Sequence, residues 1–212
     1  MKKLMELVDK NGVLPTLFVE NAECINRVIS AIEKTEMPVV EILQRGDAAK
    51  EALRQAAKIK KTALVGAGTV CTTEHCKEMV DLGADFIVSP GFNPEMVEWC
   101  VKNNVPVIPG VSNTSEVMLA SNMGVNLLKA YPFYQHGGVE FFECIAGPFP
   151  DVKFVATGYL GEDDLKIVSS NRIVAAGGVW MFQAEDDHTV ISEEEIISRL
   201  NRSIDIAGGF KK

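Results

Sequence analysis

One alternation repeats along this chain: a short apolar run, then a polar-faced stretch of helical period. Apolar runs occupy residues 12–18, 38–43, 62–66, 86–89, 106–109, 126–131, 152–156 and 173–176. Helical patterns follow at 21–33, 48–59, 73–82, 94–103, 114–123, 139–146, 163–169 and 193–203, the first capped by Asn21. An amphipathic opening with Leu4, Leu7 and Val8 precedes them. That makes eight strands, each followed by a helix. The runs are apolar throughout rather than alternating, as expected where both faces of a parallel sheet are covered. Such a chain closes into a (β/α)8 TIM barrel or opens into a doubly wound sheet. With 212 residues, no insertion and no shift in composition, a single barrel domain over 1–212 with a short N-terminal helix is expected.

The polar residues break this apolar pattern at one end of each strand. Glu41 and Arg45, Gly66-Ala67-Gly68-Thr69, Ser89-Pro90-Gly91, Pro109-Gly110, Lys129, Thr157-Gly158 and Gly177-Gly178 all fall near strand C-termini. In a barrel those ends surround one mouth, where such folds keep their chemistry.

Lys129 is the most unusual of them. It lies in Asn126-Leu127-Leu128-Lys129-Ala130-Tyr131-Pro132, where Leu127, Lys129 and Tyr131 share one face of the pleat. Turned inward, its amine meets apolar surroundings that disfavour the charged form and free it as a nucleophile toward carbonyls. On an edge strand it would snorkel to water instead. On the second strand Val39, Glu41, Leu43 and Arg45 lean the same way. Glu41 is a candidate proton shuttle, or half of a structural ion pair with Arg45. The Arg45 fork suits a substrate carboxylate, and Thr69 offers a hydroxyl to the same space.

Several chemistries are not expected. The Gly66-Ala67-Gly68 element lacks the third glycine of a dinucleotide fingerprint, Cys71 standing in its place. Cys71, His75 and Cys76 have no second pair at a zinc spacing, and His136 and His188 are isolated, so neither metal nor cofactor is predicted. A net charge of -8 disfavours nucleic acid and anionic membranes as partners. Five cysteines without a repeated spacing, no signal peptide and no membrane-length apolar run suggest a cytoplasmic protein. Gly158 and Gly178 end the last two strands, where barrels often cradle phosphate. Acids at 162–164 and 185–187 follow them and oppose an anion there, unless they serve as helix-start charges.

Taken in order, these motifs resemble the class I aldolases that act on 2-keto-3-deoxy-6-phosphogluconate and on 4-hydroxy-2-oxoglutarate. The likeness covers about residues 12–182 and rests on Val40-Glu41 with Arg45, Val65-Gly66-Ala67-Gly68-Thr69-Val70, Val88-Ser89-Pro90-Gly91, Ile108-Pro109-Gly110-Val111-Ser112, Leu128-Lys129 with Pro132, Gly147-Pro148-Phe149, Phe154-Val155-Ala156-Thr157-Gly158 and Gly177-Gly178-Val179-Trp180. It implies a (β/α)8 homotrimer and a lyase that releases pyruvate and an aldehyde from a 2-keto acid. In it Lys129 forms the Schiff base, Glu41 moves protons, and Arg45, Thr69 and Pro90 hold the pyruvate end. Tyr131 meets the family's aromatic beside the lysine. An imine route requires Glu41 within roughly a water's breadth of the amine.

Two departures fall in the family's phosphate pocket, formed here by Gly158, Tyr159, Gly178 and Val179. Thr157-Gly158-Tyr159 stands for Thr-Gly-Gly, and Gly177-Gly178-Val179 for Gly-Gly-Ser. A paralogue acting on a different or unphosphorylated 2-keto acid is therefore an alternative. A sugar-phosphate-binding barrel using Glu41 as base and Lys129 as electrostatic helper is another, as is a non-catalytic binding paralogue.

Overall fold

The computed structural model describes residues 2–184 and 189–211. Helix α1 (Lys2–Asn11) leads into β1 (Val13–Leu17), and a 3-10 turn Ala22–Cys24 precedes α2 (Ile25–Ile32). Then come β2 (Val39–Leu43), α3 (Asp47–Ile59), β3 (Leu64–Gly68), α4 (Thr73–Asp81), β4 (Phe86–Val88) and α5 (Pro94–Lys102). The second half runs β5 (Val107–Ile108), β6 (Gly110–Val111), α6 (Thr114–Asn122), β7 (Leu127–Ala130), α7 (Gly138–Ala146), β8 (Lys153–Thr157), β9 (Ile173–Gly178) and α8 (Glu193–Phe210).

All strand pairings within the sheet are parallel, in the order β5-β4-β3-β2-β1-β9-β8-β7-β6. Its two ends, β5 and β6, are consecutive in the chain and separated by Pro109 alone. Proline has no N–H to give the ladder and interrupts it there. The chain itself joins the two ends through Pro109, whose carbonyl accepts from the Lys129 N–H of β7 at 2.9 Å. Counting β5 and β6 as one strand broken at Pro109 turns the nine into eight, and the sheet is a (β/α)8 barrel.

The predicted strands and the first seven helices recur within a residue or two, with two differences, while the last helix runs to Phe210, seven residues past the predicted 203. Asn21 caps the 3-10 turn through Glu23 N–H rather than the α-helix itself. The seventh helix is a 3-10 segment, Glu162–Ser169, whose buried Leu165 and Val168 are three apart, the spacing that a three-residue turn brings onto one side.

The core has two layers, one inside the barrel and one between the sheet and the helices. Val39, Val40, Ile42, Val65, Ala67, Ile87 and Val88 are all fully buried, so consecutive residues of one strand serve both layers. Around the mouth, Thr72, Asn93, Asn113 and Ser192 cap their helices by accepting from the N–H groups of His75, Met96, Glu116 and Glu195. Each cap is worth ~1 kcal/mol and fixes where a helix starts after its strand, which holds the intervening loop in place. No helix among the described residues is long and apolar enough to cross a membrane.

Candidate active site

Period two on β2 points Glu41 into the barrel, and the same rule on β7 points Lys129 at it. Their side chains meet across the interior, Lys129 Nζ lying 3.5 Å from Glu41 Oε1 although 88 residues separate them. Glu41 is fully buried and Lys129 is only 8% exposed. The lysine therefore does not snorkel to water, and Glu41 faces Lys129 rather than Arg45.

Three neighbours hold this pair. Thr16, paired with Glu41 in the β1–β2 register, lies 3.3 Å from Glu41 Oε2. Gly68 leaves room for the carboxylate, since a Cβ there would stand 2.2 Å from Oε1. The Tyr131 ring, two residues on from the lysine, has its centroid 5.5 Å from Nζ, within cation–π range.

A cavity of about 420 Å³ opens above them. At its rim Arg45 donates through Nε to Thr69 Oγ1 at 3.3 Å. Thr69 holds a left-handed backbone, φ 62°, at the turn out of β3. The bond joins the ends of β2 and β3 and leaves the other guanidinium nitrogens for a ligand. The cavity wall divides by origin: Lys129, Arg45 and Tyr131 come from β2 and β7 or the residues just after them, and Gly158, Tyr159, Gly178 and Val179 from the ends of β8 and β9, the two groups meeting where Gly158 lies beside Tyr131. Pro90 is not among its walls. It borders a separate groove of about 740 Å³ with Cys71 and Asn93, and its carbonyl backs Gly110, where a Cβ would lie 2.3 Å away.

In the second group the backbone turns sharply. Gly158 has φ +111° and Tyr159 φ 56°, with the Tyr159 ring 97% exposed. Glu162, Asp163 and Asp164 stand in the first turn of the 3-10 segment, the helix-start place that the sequence left open for them, and two of the three have partners. Glu162 accepts from Arg202 at 2.8 Å and from Ser203 at 3.3 Å. Asp164 accepts from the Gly161 N–H at 2.9 Å and the Tyr134 hydroxyl at 2.6 Å. Partial burial and that carboxylate push the Tyr134 phenol up to about 12, so it stays protonated near neutrality. Residues 185–187 and His188 lie outside the described residues.

The cavity also uses side chains that sequence patterning did not single out: Thr16, Phe18, Leu160 and Gln183. Thr157, which the sequence does place at the mouth, lines the cavity too, with a buried hydroxyl that has no hydrogen-bond partner among the described residues. Such a group costs roughly 1–3 kcal/mol until a ligand oxygen satisfies it. Its place, polar at the C-terminal end of an apolar strand, is the signal that marks it. Cys71, His75 and Cys76 do not converge, Cys76 being buried with its Sγ 3.4 Å from that of Cys100. Among the described residues no three His, Cys, Asp or Glu cluster to hold a metal ion.

A family model for KDPG and KHG aldolases, named for their keto-deoxy-phosphogluconate and keto-hydroxyglutarate substrates, matches residues 4–194. The 2-dehydro-3-deoxy-phosphogluconate aldolase of Haemophilus influenzae is 31% identical over 183 residues, 86% of each chain. The 2-keto-3-deoxy-6-phosphogluconate aldolase of Zymomonas mobilis, solved with 3-phosphoglycerate, superposes with a TM-score of 0.84 at 25% identity, over 100% of this chain and 98% of that one. The KDPG aldolase of Legionella pneumophila, solved with pyruvate captured as a covalent carbinolamine, gives 0.78 at 26% identity over 97% of each chain. With its barrel, its buried lysine and these relatives, the chain belongs to the KDPG and KHG aldolase family of lyases.

Proposed function

We propose that the protein cleaves a 4-hydroxy-2-oxo acid to pyruvate and an aldehyde through a Schiff base on Lys129. The observation that carries this is the 3.5 Å approach of a buried amine to a fully buried carboxylate at the floor of the cavity. Lys129 attacks the C2 ketone, and the carbinolamine loses water to give a protonated imine. As Glu41 takes the proton of the C4 hydroxyl, the C3–C4 bond breaks and its electron pair moves toward the imine nitrogen. The aldehyde leaves, Glu41 returns a proton to C3 of the enamine, and hydrolysis frees pyruvate. Each step reuses the same amine and the same carboxyl.

Arg45, steadied by Thr69, holds the substrate carboxylate with its remaining guanidinium nitrogens, and Tyr131 covers the bound ketone. The Thr157 hydroxyl meets a substrate oxygen between the two groups. The tail rests against Gly158, Tyr159, Gly178 and Val179. Those positions supply backbone N–H groups but no cationic side chain and, at Val179, no hydroxyl. A phosphate has little to bind there beyond the backbone, which favours an unphosphorylated tail. The homotrimer belongs to the same proposal, and light scattering should give three times the chain mass.

Borohydride reduction in the presence of pyruvate, followed by peptide mass analysis, tests the chemistry. An adduct on Lys129 is expected, and its absence overturns the Schiff-base route. Comparing kcat/KM for phosphorylated and unphosphorylated substrates tests the tail, where a large preference for the phosphorylated one counts against it.

A further inference from the structure

We infer that Thr16 is a positioning residue for Glu41, its hydroxyl turning to suit whichever protonation state the carboxyl holds. This rests on the proposed role of Glu41 as proton carrier. Thr16 sits on β1, a strand whose five residues are all buried, and its neighbours in the run are apolar. Valine would fill the same space, so strand geometry alone does not call for a hydroxyl. A hydroxyl buried at 7% exposure needs partners, and two acceptors stand within reach: Glu41 Oε2 at 3.3 Å and the Leu14 carbonyl at 3.2 Å.

A hydroxyl has one hydrogen to give and lone pairs to receive. While Glu41 is a carboxylate, Thr16 donates to Oε2. Once Oε2 carries a proton, it donates to Thr16 Oγ1, and the threonine hydrogen turns to the Leu14 carbonyl. Neither state strands a buried donor. Both distances are long for an O–H···O bond, as is common in unliganded sites, where such contacts tighten on binding.

The rest of the surroundings leaves this task to Thr16. Lys129 from β7 is the charged group facing Glu41, and it addresses Oε1. The β3 neighbour is Gly68, which contributes space and no polar side chain. Arg45, on the rim beyond β2, is bonded to Thr69. The Oε2 side of the carboxyl thus belongs to Thr16, and its hold on Oε2 keeps Oε1 aimed at the amine.

The test compares Thr16→Val, which removes the hydroxyl at constant shape, with Thr16→Ser, which keeps it. Three readouts are followed: the borohydride adduct with pyruvate, exchange of pyruvate C3 hydrogens in deuterium oxide, and the pH profile of kcat/KM. Thr16→Val should still form the adduct, lose about tenfold in C3 exchange, and move the ascending limb of its pH profile upward by about half to one unit. The sign follows because the hydroxyl's bond to the charged carboxylate is stronger than the one it accepts from the neutral acid, so its loss costs the carboxylate more. Thr16→Ser should restore both. A Thr16→Val enzyme with wild-type exchange and an unmoved limb overturns the inference. If that variant does not fold, Thr16→Ala against Thr16→Ser carries the same comparison. A wild-type protein that forms no adduct fails at the Schiff base itself, a different result from an adduct that forms in every variant with no shift.

Discussion

The two groups of residues that form the candidate site, each an end of it in the sense of a strand-held or a loop-built part, are made in different ways. Lys129, Glu41 and Thr16 stand on strand interiors, where pairing fixes each Cα against its neighbours and period two decides the direction of each side chain. Gly158, Tyr159 and Val179 lie at or just beyond strand ends, where the backbone turns and no ladder dictates where a side chain goes. The first end places buried polar groups to within a hydrogen bond. The second offers mainly backbone and one ring in solvent. On the proposed roles, chemistry that needs ångström precision is held by the sheet, and tail recognition is left to segments that can change without disturbing it.

The sharpest way to break this contrast is Lys129→Met. On the proposed role it should remove the borohydride adduct and reduce pyruvate release to the uncatalysed background, and a variant that still cleaved substrate would disqualify the strand-held end as the reacting one. Next in size is Glu41→Gln, expected to lower kcat by about 10²–10⁴-fold in a coupled pyruvate assay. A smaller loss, about 10²-fold, is expected for Gly68→Ala. It touches no substrate, but its Cβ would stand 2.2 Å from Glu41 Oε1 and push the carboxyl out of line. Unchanged kcat in Gly68→Ala would mean that the strand-held end tolerates more displacement than its geometry implies.

The other end is probed by adding function. Val179→Ser supplies a hydroxyl beside the tail and should raise kcat/KM for a phosphorylated substrate by about tenfold, the lower range for a hydrogen bond to a charged group. C3 exchange of pyruvate, which involves no tail, should stay at the wild-type rate. Were exchange to change as well, the two ends would not be independent.

How far the sequence revealed each end follows the same division. The barrel was legible because strands covered on both faces are apolar throughout, and Lys129 and Glu41 stood out as charges inside such runs. Thr16 did not, because a β-branched threonine is ordinary in a strand and only the register shows what it faces. Pro90 reads as one of the residues at the mouth, yet it borders another groove, since loop direction does not follow a strand period. The acids at 162 and 164 show their charge in the sequence but not their partners: Arg202 lies 40 residues on, and Tyr134 lies 30 residues back. Long-range pairing of this kind appears only once the barrel has closed.

Tyr159→Gly is the smallest expected effect and bears on stability first. A left-handed backbone costs an L residue ~1–2 kcal/mol relative to glycine. At 97% exposure the Tyr159 ring recovers almost nothing by burial. Glycine removes the strain but loosens the unfolded chain, which takes back ~0.4–1 kcal/mol. The variant should therefore gain ~0.5–1 kcal/mol, a rise of ~1–4 °C in Tm by calorimetry. Lys129 adduct formation with pyruvate should be unaffected. A fall in Tm would show that the ring is held by contacts after all. Weaker binding of tailed substrates with unchanged pyruvate exchange would instead identify it as a lid that the tail itself completes, so that the loop-built end finishes folding only around its ligand.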